Sequence, residues 1–225
     1  MRRLIVPLLF LATSANASLS VLVYDINTGH HIVSENAEVV RPVASITKLM
    51  TAIVSLETYS LDSRVARRVT VRDLLTTLLV QSDNHASEML ARYHPDGRRG
   101  FLAAMNAKAQ QLGLKNTHFD DPSGLISTNT STAVELAKLV EVAGQYEFIR
   151  YASSQVERNT NKPILERFRN ILVSKTGFTT SAGRCVALLV DRAGSNHAII
   201  ILGEPTRHAR DTLAQNLLLT VSSIK

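Results

Sequence analysis

The distribution of apolar and polar residues predicts strands at both ends of the chain. Residues 19–24 are β-rich and mostly apolar, and turn residues 27–29 separate them from a second short β-rich run at 31–33. The chain therefore begins with a predicted hairpin after its leader. Near the C-terminus, strands are predicted at 171–173, 185–190 and 198–202, and residues 191–196 form a turn between the last two.

Between these strands the apolar period changes to that of a helix. Apolar residues recur at helical spacing after Ser45, and Thr132 with Glu135 has the pattern of a capping box. Residues 151–170 are polar, charged and aperiodic, so they predict a long surface loop. Further helices are predicted around 74–79, 102–112, 134–140 and 206–221.

Strands at both termini around a helical middle predict one sheet assembled from the two ends of the chain. The predicted fold class is α/β, more specifically α+β. The sheet is expected to be largely antiparallel because hairpins link its strands. Residues 18–225 are expected to form one domain, large enough to bury its core without a metal or a disulfide. The single cysteine, Cys185, is expected to be a small buried apolar residue.

The first 17 residues have the three parts of a secretory signal peptide. Met1-Arg2-Arg3 is basic, residues 4–12 are apolar, and Ala15-Asn16-Ala17 offers small residues for cleavage. The apolar part is too short for a transmembrane helix, which needs about 20 residues. We expect cleavage after Ala17 and export to the periplasm or the medium.

Charge and composition exclude several classes of function. The formal net charge is +6, part of it in the predicted leader, and it is not concentrated in runs of basic residues, so no nucleic-acid partner is expected. The seven histidines show no H-E-x-x-H pattern, so no metal site and no cofactor are expected.

Ser45 and Lys48 are the first candidates for chemistry. At a separation of three residues on a helix their side chains share one face. A lysine can activate a serine hydroxyl only if its pKa is lowered. The spacing itself is weak, because chance predicts roughly 0.6 copies in a chain of this composition. A second copy, Ser222 with Lys225, has nothing after it that could complete a site.

Two tripeptides make the assignment of a site at Ser45 more specific than the spacing alone. Ser82-Asp83-Asn84 lies between two predicted helices, and Lys175-Thr176-Gly177 follows the predicted strand 171–173. Each tripeptide is expected by chance only about 0.03 to 0.04 times. Their order after Ser45 and Lys48 is the order found in class A β-lactamases and penicillin-binding proteins.

With these motifs the sequence resembles the low-molecular-mass penicillin-binding proteins, the D-alanyl-D-alanine carboxypeptidases and endopeptidases that act on peptidoglycan. The likeness covers about residues 19–220 and is greatest to the endopeptidase branch called penicillin-binding protein 7. It implies a β-lactamase/transpeptidase-like fold with helices on both faces of the sheet. The matching segments are 41–52, 105–109, 121–125, 131–133, 175–179 and 182–185.

The resemblance implies catalytic roles for three residues. Ser45 would be the acylated nucleophile, and Lys48 the base that accepts its proton. Ser82 would relay a proton to the leaving amine. Asn84 would hydrogen-bond the backbone of the substrate.

It also implies how the substrate is held. Lys175 would supply positive charge that keeps the first lysine neutral and attracts a carboxylate, to which Thr176 would donate a hydrogen bond. Gly177 would allow close approach of the strand to the substrate. The backbone N–H groups of Ser45 and Phe178 would form the oxyanion hole.

The function implied is hydrolysis of D-Ala peptide bonds, with cleavage of cross-links preferred to release of terminal D-Ala. The partners expected are peptidoglycan stem peptides, with β-lactams as covalent inhibitors. We also expect a monomer. No stable membrane anchor is expected, because the chain ends soon after its closing helix.

Three alternatives remain at this stage: a DD-carboxypeptidase, a β-lactamase and an inactive peptidoglycan-binding module. Glu166 and Asn170 imitate part of a β-lactamase deacylation motif, but Arg169 and the position next to Lys175 do not fit it, so Glu166 is expected to be a solvated charge. Arg184 could assist carboxylate binding or be a plain charge on an edge strand.

Overall fold

The computed structural model describes residues 19–223, so the predicted signal peptide lies outside the described residues. Within this range the hairpin predicted at the start of the chain and the C-terminal strands are confirmed. The strands are β1 (Ser20–Asp25), β2 (His31–Glu35), β3 (Arg41–Pro42), β4 (Arg64–Ala66), β5 (Val69–Thr70), β6 (Thr130–Ser131), β7 (Ile171–Thr179), β8 (Gly183–Arg192) and β9 (Ser195–Glu204).

Five of these strands form one sheet in the order β2-β1-β9-β8-β7, and every neighbouring pair is antiparallel. The first strand of the chain thus pairs with the last, as the sequence predicts. The predicted turn 191–196 is shorter in the structure, because Asp191 and Arg192 still pair with β9. Ala193 and Gly194 both have positive φ, which matches the right-handed twist of a tight hairpin.

The helices predicted from periodicity are all present, and three further short helices accompany them. α3, α6 and α7 have no counterpart in the prediction, because segments of six to nine residues carry too few turns to show a period. The helical elements are a 3₁₀ turn η1 (Ala44–Thr47) and the α-helices α1 (Lys48–Thr58), α2 (Val71–Val80), α3 (Asn84–Arg92), α4 (Gly97–Gln111), α5 (Ala133–Ala143), α6 (Glu147–Ser153), α7 (Lys162–Arg167) and α8 (Arg207–Ser223).

The loop predicted at 151–170 is wrong in part. α6 extends into it, and α7 lies within it with Ile164 and Leu165 buried against the sheet. Tertiary contacts stabilise this short helix, which a local pattern of two apolar residues does not reveal. Glu166 on α7 is exposed and pairs with Lys162, in agreement with the expected solvated charge.

The capping box predicted at the start of α5 forms only in part. Thr132 accepts a hydrogen bond from the backbone N–H of Glu135, but the Glu135 carboxylate accepts from Asn116 and Thr117 instead of completing the box. A complete capping box occurs at the start of α2, between Thr70 and Asp73.

The sheet separates two apolar cores. Alternate residues of β8 face opposite sides, as the pleat requires. Ala187 and Leu189 pack toward the helical block, whereas Val186 and Leu188 pack under α8. β7 is the edge strand on this side of the sheet, next to η1. No helix within residues 19–223 is both long and apolar enough to cross a membrane.

Candidate active site

Ser45 and Lys48 meet at the junction of η1 and α1. Ser45 lies in the 3₁₀ turn and Lys48 is the first residue of α1, so the sequence spacing places both side chains on one side. Lys48 Nζ lies 2.9 Å from Ser45 Oγ. The same amine donates to Asn84 Oδ1 at 2.7 Å and to the carbonyl oxygen of Ser123 at 2.7 Å.

These three contacts fix the orientation of a neutral Lys48 amine. A neutral amine has two N–H donors and one lone pair, and the Asn84 and Ser123 oxygens can only accept. Both N–H groups must therefore point at these two oxygens. The lone pair is then left for Ser45, whose hydroxyl can donate to it.

The environment of Lys48 favours the neutral form. Its side chain is fully buried, and burial lowers its pKa to about 7, while the carboxylates of Asp121 and Asp83 act in the opposite direction. Burial, and not the charge of a neighbouring lysine, is the main cause. Near neutral pH a large fraction of Lys48 is therefore able to accept a proton.

A second lysine–serine pair lies beside the first. Ser82 follows α2 with φ of 61°, and Asp83 caps α3 by accepting from the N–H groups of His85 and Ala86. Lys175 Nζ donates to Ser82 Oγ at 2.8 Å and to the Thr176 carbonyl at 2.9 Å. Burial, and then the proximity of Lys48, hold the pKa of Lys175 well below its usual range.

The segment Lys175-Thr176-Gly177 lies inside β7 and not after it, because the strand extends to Thr179. The shorter predicted strand was wrong at this end, since polar residues on an edge strand break the apolar pattern. A Cβ on Gly177 would lie 2.9 Å from the backbone N of Ser45. Only glycine therefore lets β7 lie this close to the turn that holds Ser45.

The loop 121–129 supports this turn, and sequence reasoning gave it no role. The Asp121 carboxylate is buried and accepts hydrogen bonds from the N–H groups of Ser123, Gly124 and Ile126. Asn129 donates to Thr47 Oγ1 and to the Asp121 carbonyl. These bonds place the Ser123 carbonyl against Lys48. The only signal in the sequence was the likeness of 121–125 to the family.

A cleft of about 370 Å³ opens at Ser45 and Ser82. Thr160 lines it and accepts a hydrogen bond from Thr176 Oγ1 at 2.7 Å. Three arginines also line the cleft, Arg184 from β8 and both Arg207 and Arg210 from α8.

Arg210 is buried, and sequence reasoning missed it. It shares one face of α8 with the buried residues Ala214, Leu217, Leu218 and Val221. A charged residue on an otherwise apolar helix face was the signal that could have found it.

The other predicted features of the site have these outcomes. Cys185 is buried and free, as expected. Arg184 lies on β8, which is paired on both sides, so it is not on an edge strand. Within the part of the chain that the structure describes, no group of three His, Cys, Asp or Glu side chains could hold a metal ion.

An antiparallel sheet with a helical insert, and a serine hydroxyl held by a buried lysine at its edge, define a serine hydrolase of the β-lactamase/transpeptidase-like class. The particular family follows from comparison with known sequences. The chain belongs to the D-alanyl-D-alanine carboxypeptidase family, peptidase family S11, whose family model matches residues 11–66 and 55–206. It is a serine-type D-Ala-D-Ala peptidase.

Individual relatives agree with this assignment. A D-alanyl-D-alanine endopeptidase of Pseudomonas aeruginosa is 36% identical, over 91% of this chain and 78% of its own. One of Escherichia coli is also 36% identical, over 76% of this chain and 66% of its own. Penicillin-binding protein D2 of Listeria monocytogenes, solved in its cefotaxime-bound form, superposes with a TM-score of 0.79 at 26% identity, covering 90% of this chain and 96% of that one.

Proposed function

We propose that this enzyme is a DD-endopeptidase that cuts peptide cross-links of peptidoglycan through an acyl-Ser45 intermediate. The observation that carries the proposal is the buried Lys48 amine, which lies 2.9 Å from Ser45 Oγ while the Asn84 and Ser123 oxygens bind it from other directions. An activated serine of this kind can attack the carbonyl carbon of a D-Ala residue.

The acylation step uses both serine–lysine pairs. Lys48 accepts the Ser45 proton as Oγ bonds to the carbonyl carbon. The peptide C–N bond then breaks, and the departing amine takes the hydroxyl proton of Ser82, which Lys175 holds in place. The proton that Lys48 accepted from Ser45 replaces it on Ser82, so Lys48 is neutral again when the acyl-enzyme has formed. Water later attacks the ester, releases the shortened peptide and restores Ser45.

The negative oxygen of the tetrahedral intermediate needs donors beside Ser45. The backbone N–H groups of Ser45 and Phe178 are proposed for this role. Two features support them: the first N–H groups of a helical turn have no partner within it, and Gly177 brings β7 against the Ser45 backbone. Loss of one such donor costs about 2.7–4 kcal/mol in other acyl-transfer enzymes.

Asn84 and Thr176 are proposed to hold the substrate. Asn84 keeps its amide N–H₂ free of Lys48, since its oxygen accepts from that amine, so the N–H₂ can bind the substrate backbone. Thr176 would donate to the carboxylate next to the scissile bond once its hydroxyl proton turns away from Thr160, to which it donates in the free enzyme. Arg210 is close enough to act electrostatically on Lys175. Burial opposes ionisation of Lys175, so the positive charge proposed for this position comes from Arg210.

The preference for cross-links is supported by the relatives that are named endopeptidases. Digestion of purified muropeptides tests this preference. Purified cross-linked dimers are expected to become monomers, as followed by mass spectrometry. Rapid release of free D-alanine from monomeric pentapeptide, with dimers left intact, would make the enzyme a carboxypeptidase instead.

Covalent trapping tests the nucleophile. A labelled penicillin is expected to raise the intact mass by one drug molecule, and Ser45→Ala is expected to take up none. Ser222→Ala, at the other serine with a lysine three residues later, is the matched control and should label normally. Uptake of the label by Ser45→Ala would refute the assignment.

The lifetime of the adduct separates a peptidase from a β-lactamase. Glu166 is exposed and paired with Lys162, which leaves it no role as a deacylation base. The labelled protein is therefore expected to persist. Turnover of many penicillin molecules per minute would identify a β-lactamase.

We also propose that the enzyme works outside the cytoplasm, as its peptidoglycan substrate requires. The signal-peptide pattern of residues 1–17 supports this. N-terminal sequencing of the exported protein should find Ser18 as its first residue, whereas an intact Met1 on that protein would contradict cleavage.

A further inference from the structure

The three arginines of the cleft carry more positive charge than their neighbours balance. Arg210 donates to Asp211 through its Nε at 2.9 Å, and Arg207 lies 3.5 Å from the same carboxylate. No other ion pair involves these arginines in the described part of the chain. Asp211 therefore balances one charge, and the cleft keeps an excess of cations.

Of the three arginines, Arg184 is the one whose positive charge has the least compensation from its neighbours. Its guanidinium stacks on the Phe178 ring, 3.6 Å from the centroid, and its Nε is buried without a hydrogen-bond partner among residues 19–223. Phe178 and Arg184 are direct neighbours across β7 and β8, which places both on one face. The stack holds the guanidinium rigidly at the cleft.

No acidic residue of the described chain takes up this charge. Glu204 is the neighbour of Arg184 on the other side, across β8 and β9, but the two form no ion pair within 4.0 Å. Burial raises the pKa of the Glu204 carboxyl, which weakens it further as a counter-ion. A partly buried guanidinium without a partner is costly, and a bound anion would remove that cost.

The three arginines line the part of the cleft where the leaving portion of the substrate is proposed to bind. Their cleft contains Ser82, which we propose protonates the departing amine, and Thr176, which we propose binds the adjacent carboxylate. A guanidinium presents a planar pair of N–H groups that matches a carboxylate. The anion that fits is therefore a carboxylate carried by the leaving portion of the substrate.

We propose that Arg184, with Arg207, forms a second anionic subsite that binds an additional carboxylate of the leaving peptide and so selects cross-linked substrate. This inference rests on the proposed DD-endopeptidase function. A terminal D-Ala has one carboxylate, which the Thr176 position already takes. The diamino acid of a cross-link has its own carboxylate and continues into a second stem peptide with further carboxylates, so only cross-linked substrate occupies both subsites.

The test compares two substrates on Arg184→Gln. The variant is expected to lose about tenfold or more in kcat/KM on cross-linked dimers, the loss typical of one charge-assisted hydrogen bond. Its loss on monomeric pentapeptide should be several-fold smaller. Arg192→Gln, at the far end of the same strand with the same change of charge, should match the wild type on both. Equal losses of Arg184→Gln on both substrates, or none, would overturn the subsite.

A change on the substrate side removes the remaining ambiguity. Wild-type enzyme should cut dimers that are amidated only at the acceptor carboxylates away from the scissile bond more slowly than unmodified dimers, and Arg184→Gln should cut the two at similar rates. A wild type that does not distinguish them would also overturn the proposal. Penicillin labelling of every variant reports Ser45 separately, so failure of labelling in the wild type refutes the proposed function and not the subsite alone.

Arg184→Lys tests whether a loss of activity comes from the missing guanidinium or from a less stable fold. It keeps the charge but loses the planar pair of donors and much of the stack on Phe178. We expect a loss on dimers between those of the wild type and Arg184→Gln, with the same thermal unfolding midpoint as the wild type. A midpoint and a dimer rate that fall together would point to a structural role instead.

Discussion

Lys48 has hydrogen-bond partners from three separate parts of the chain, and each partner has a chemical consequence. In the neutral amine, the two N–H groups donate to Asn84 Oδ1 and the Ser123 carbonyl oxygen, so the lone pair is available to the Ser45 hydroxyl. Burial supplies the lowered pKa that makes this lone pair available. The activation of the serine therefore depends on the protonation state of this one amine.

The pH dependence of acylation tests that conclusion. Below a pKa of about 7 the neutral fraction of Lys48 falls tenfold per pH unit, so the rate of penicillin labelling should rise with pH and level off above about 7. Stopped-flow or quenched labelling between pH 5.5 and 8.5 measures this. A rate that stays constant over this range would exclude Lys48 as the base.

Two substitutions refine the assignment. Lys48→Arg keeps the charge but cannot release its proton, because the guanidinium pKa exceeds 12. Labelling should fall by about 10²–10⁴-fold, the usual contribution of a general base. Asn84→Asp places a carboxylate against the amine and should move the rising limb to higher pH. Lys138→Arg, on an exposed lysine paired with Glu141, is the control and should label at the wild-type rate.

At the scale of elements, the site depends on close contacts between η1 and two other segments. Gly177 in β7 contacts it from one side, and Gly124 in the loop 121–129 contacts it from the other. Ala44 itself has a φ of 46°, a conformation that costs a residue with a side chain about 1–2 kcal/mol. The neighbouring segments hold this strained turn in place.

Gly124→Ala tests how much this contact contributes. Gly124 has a φ of 82°, and a Cβ there would lie 1.9 Å from the Ala44 carbonyl oxygen. Gly194 has a φ of 85° with nothing within 4 Å of its Cβ position, so Gly194→Ala reports the backbone strain alone. We expect Gly194→Ala to cost about 1 kcal/mol and Gly124→Ala about 1–3 kcal/mol more.

Urea unfolding gives these free energies, and penicillin labelling gives the effect on Ser45. Gly124→Ala should also label more slowly, because Ala44 precedes Ser45, the proposed nucleophile, while Gly194→Ala should label at the wild-type rate. Equal destabilisation by the two substitutions would show that the loop does not support η1.

At the scale of the whole molecule, two lysines are fully buried without ionised partners in contact among residues 19–223. Lys48 and Lys175 are both buried, and burial lowers the pKa of each. In the unfolded chain each lysine has a pKa of about 10.4 and binds a proton that the folded state releases. The unfolded chain therefore binds more protons between about pH 7 and 10, and stability should rise with pH there.

The expected rise is measurable by urea unfolding at pH 7.0 and 8.5. Each buried lysine adds up to about 1.4 kcal/mol of unfolding free energy per pH unit. At higher pH Cys185 opposes the trend, because burial raises its thiol pKa to about 11. Lys48→Met should reduce the slope by about half, whereas Lys138→Met should leave it unchanged. A flat wild-type profile would mean that the buried amines stay protonated.

Much of this molecule follows from local sequence. The terminal hairpin, the long helices and the closing helix each carry an apolar period over several turns or alternations, and such a period is readable from the sequence alone. Ser45 and Lys48 share one side because three residues on a helical backbone place them there. The likeness of several motifs to one family indicated Ser82, Asn84 and the segment 175–178, but neither Arg210 nor the role of the loop 121–129.

The tertiary structure alone decided the chemistry of the site. Lys48 meets Asn84 and the Ser123 carbonyl across separations of 36 and 75 residues, and its pKa depends on the burial that these segments produce together. The burial of Arg210 and the unbalanced charge of Arg184 arise in the same way. Burial and electrostatic potential are sums over all neighbours in space, most of them remote in the chain, so no local pattern determines them.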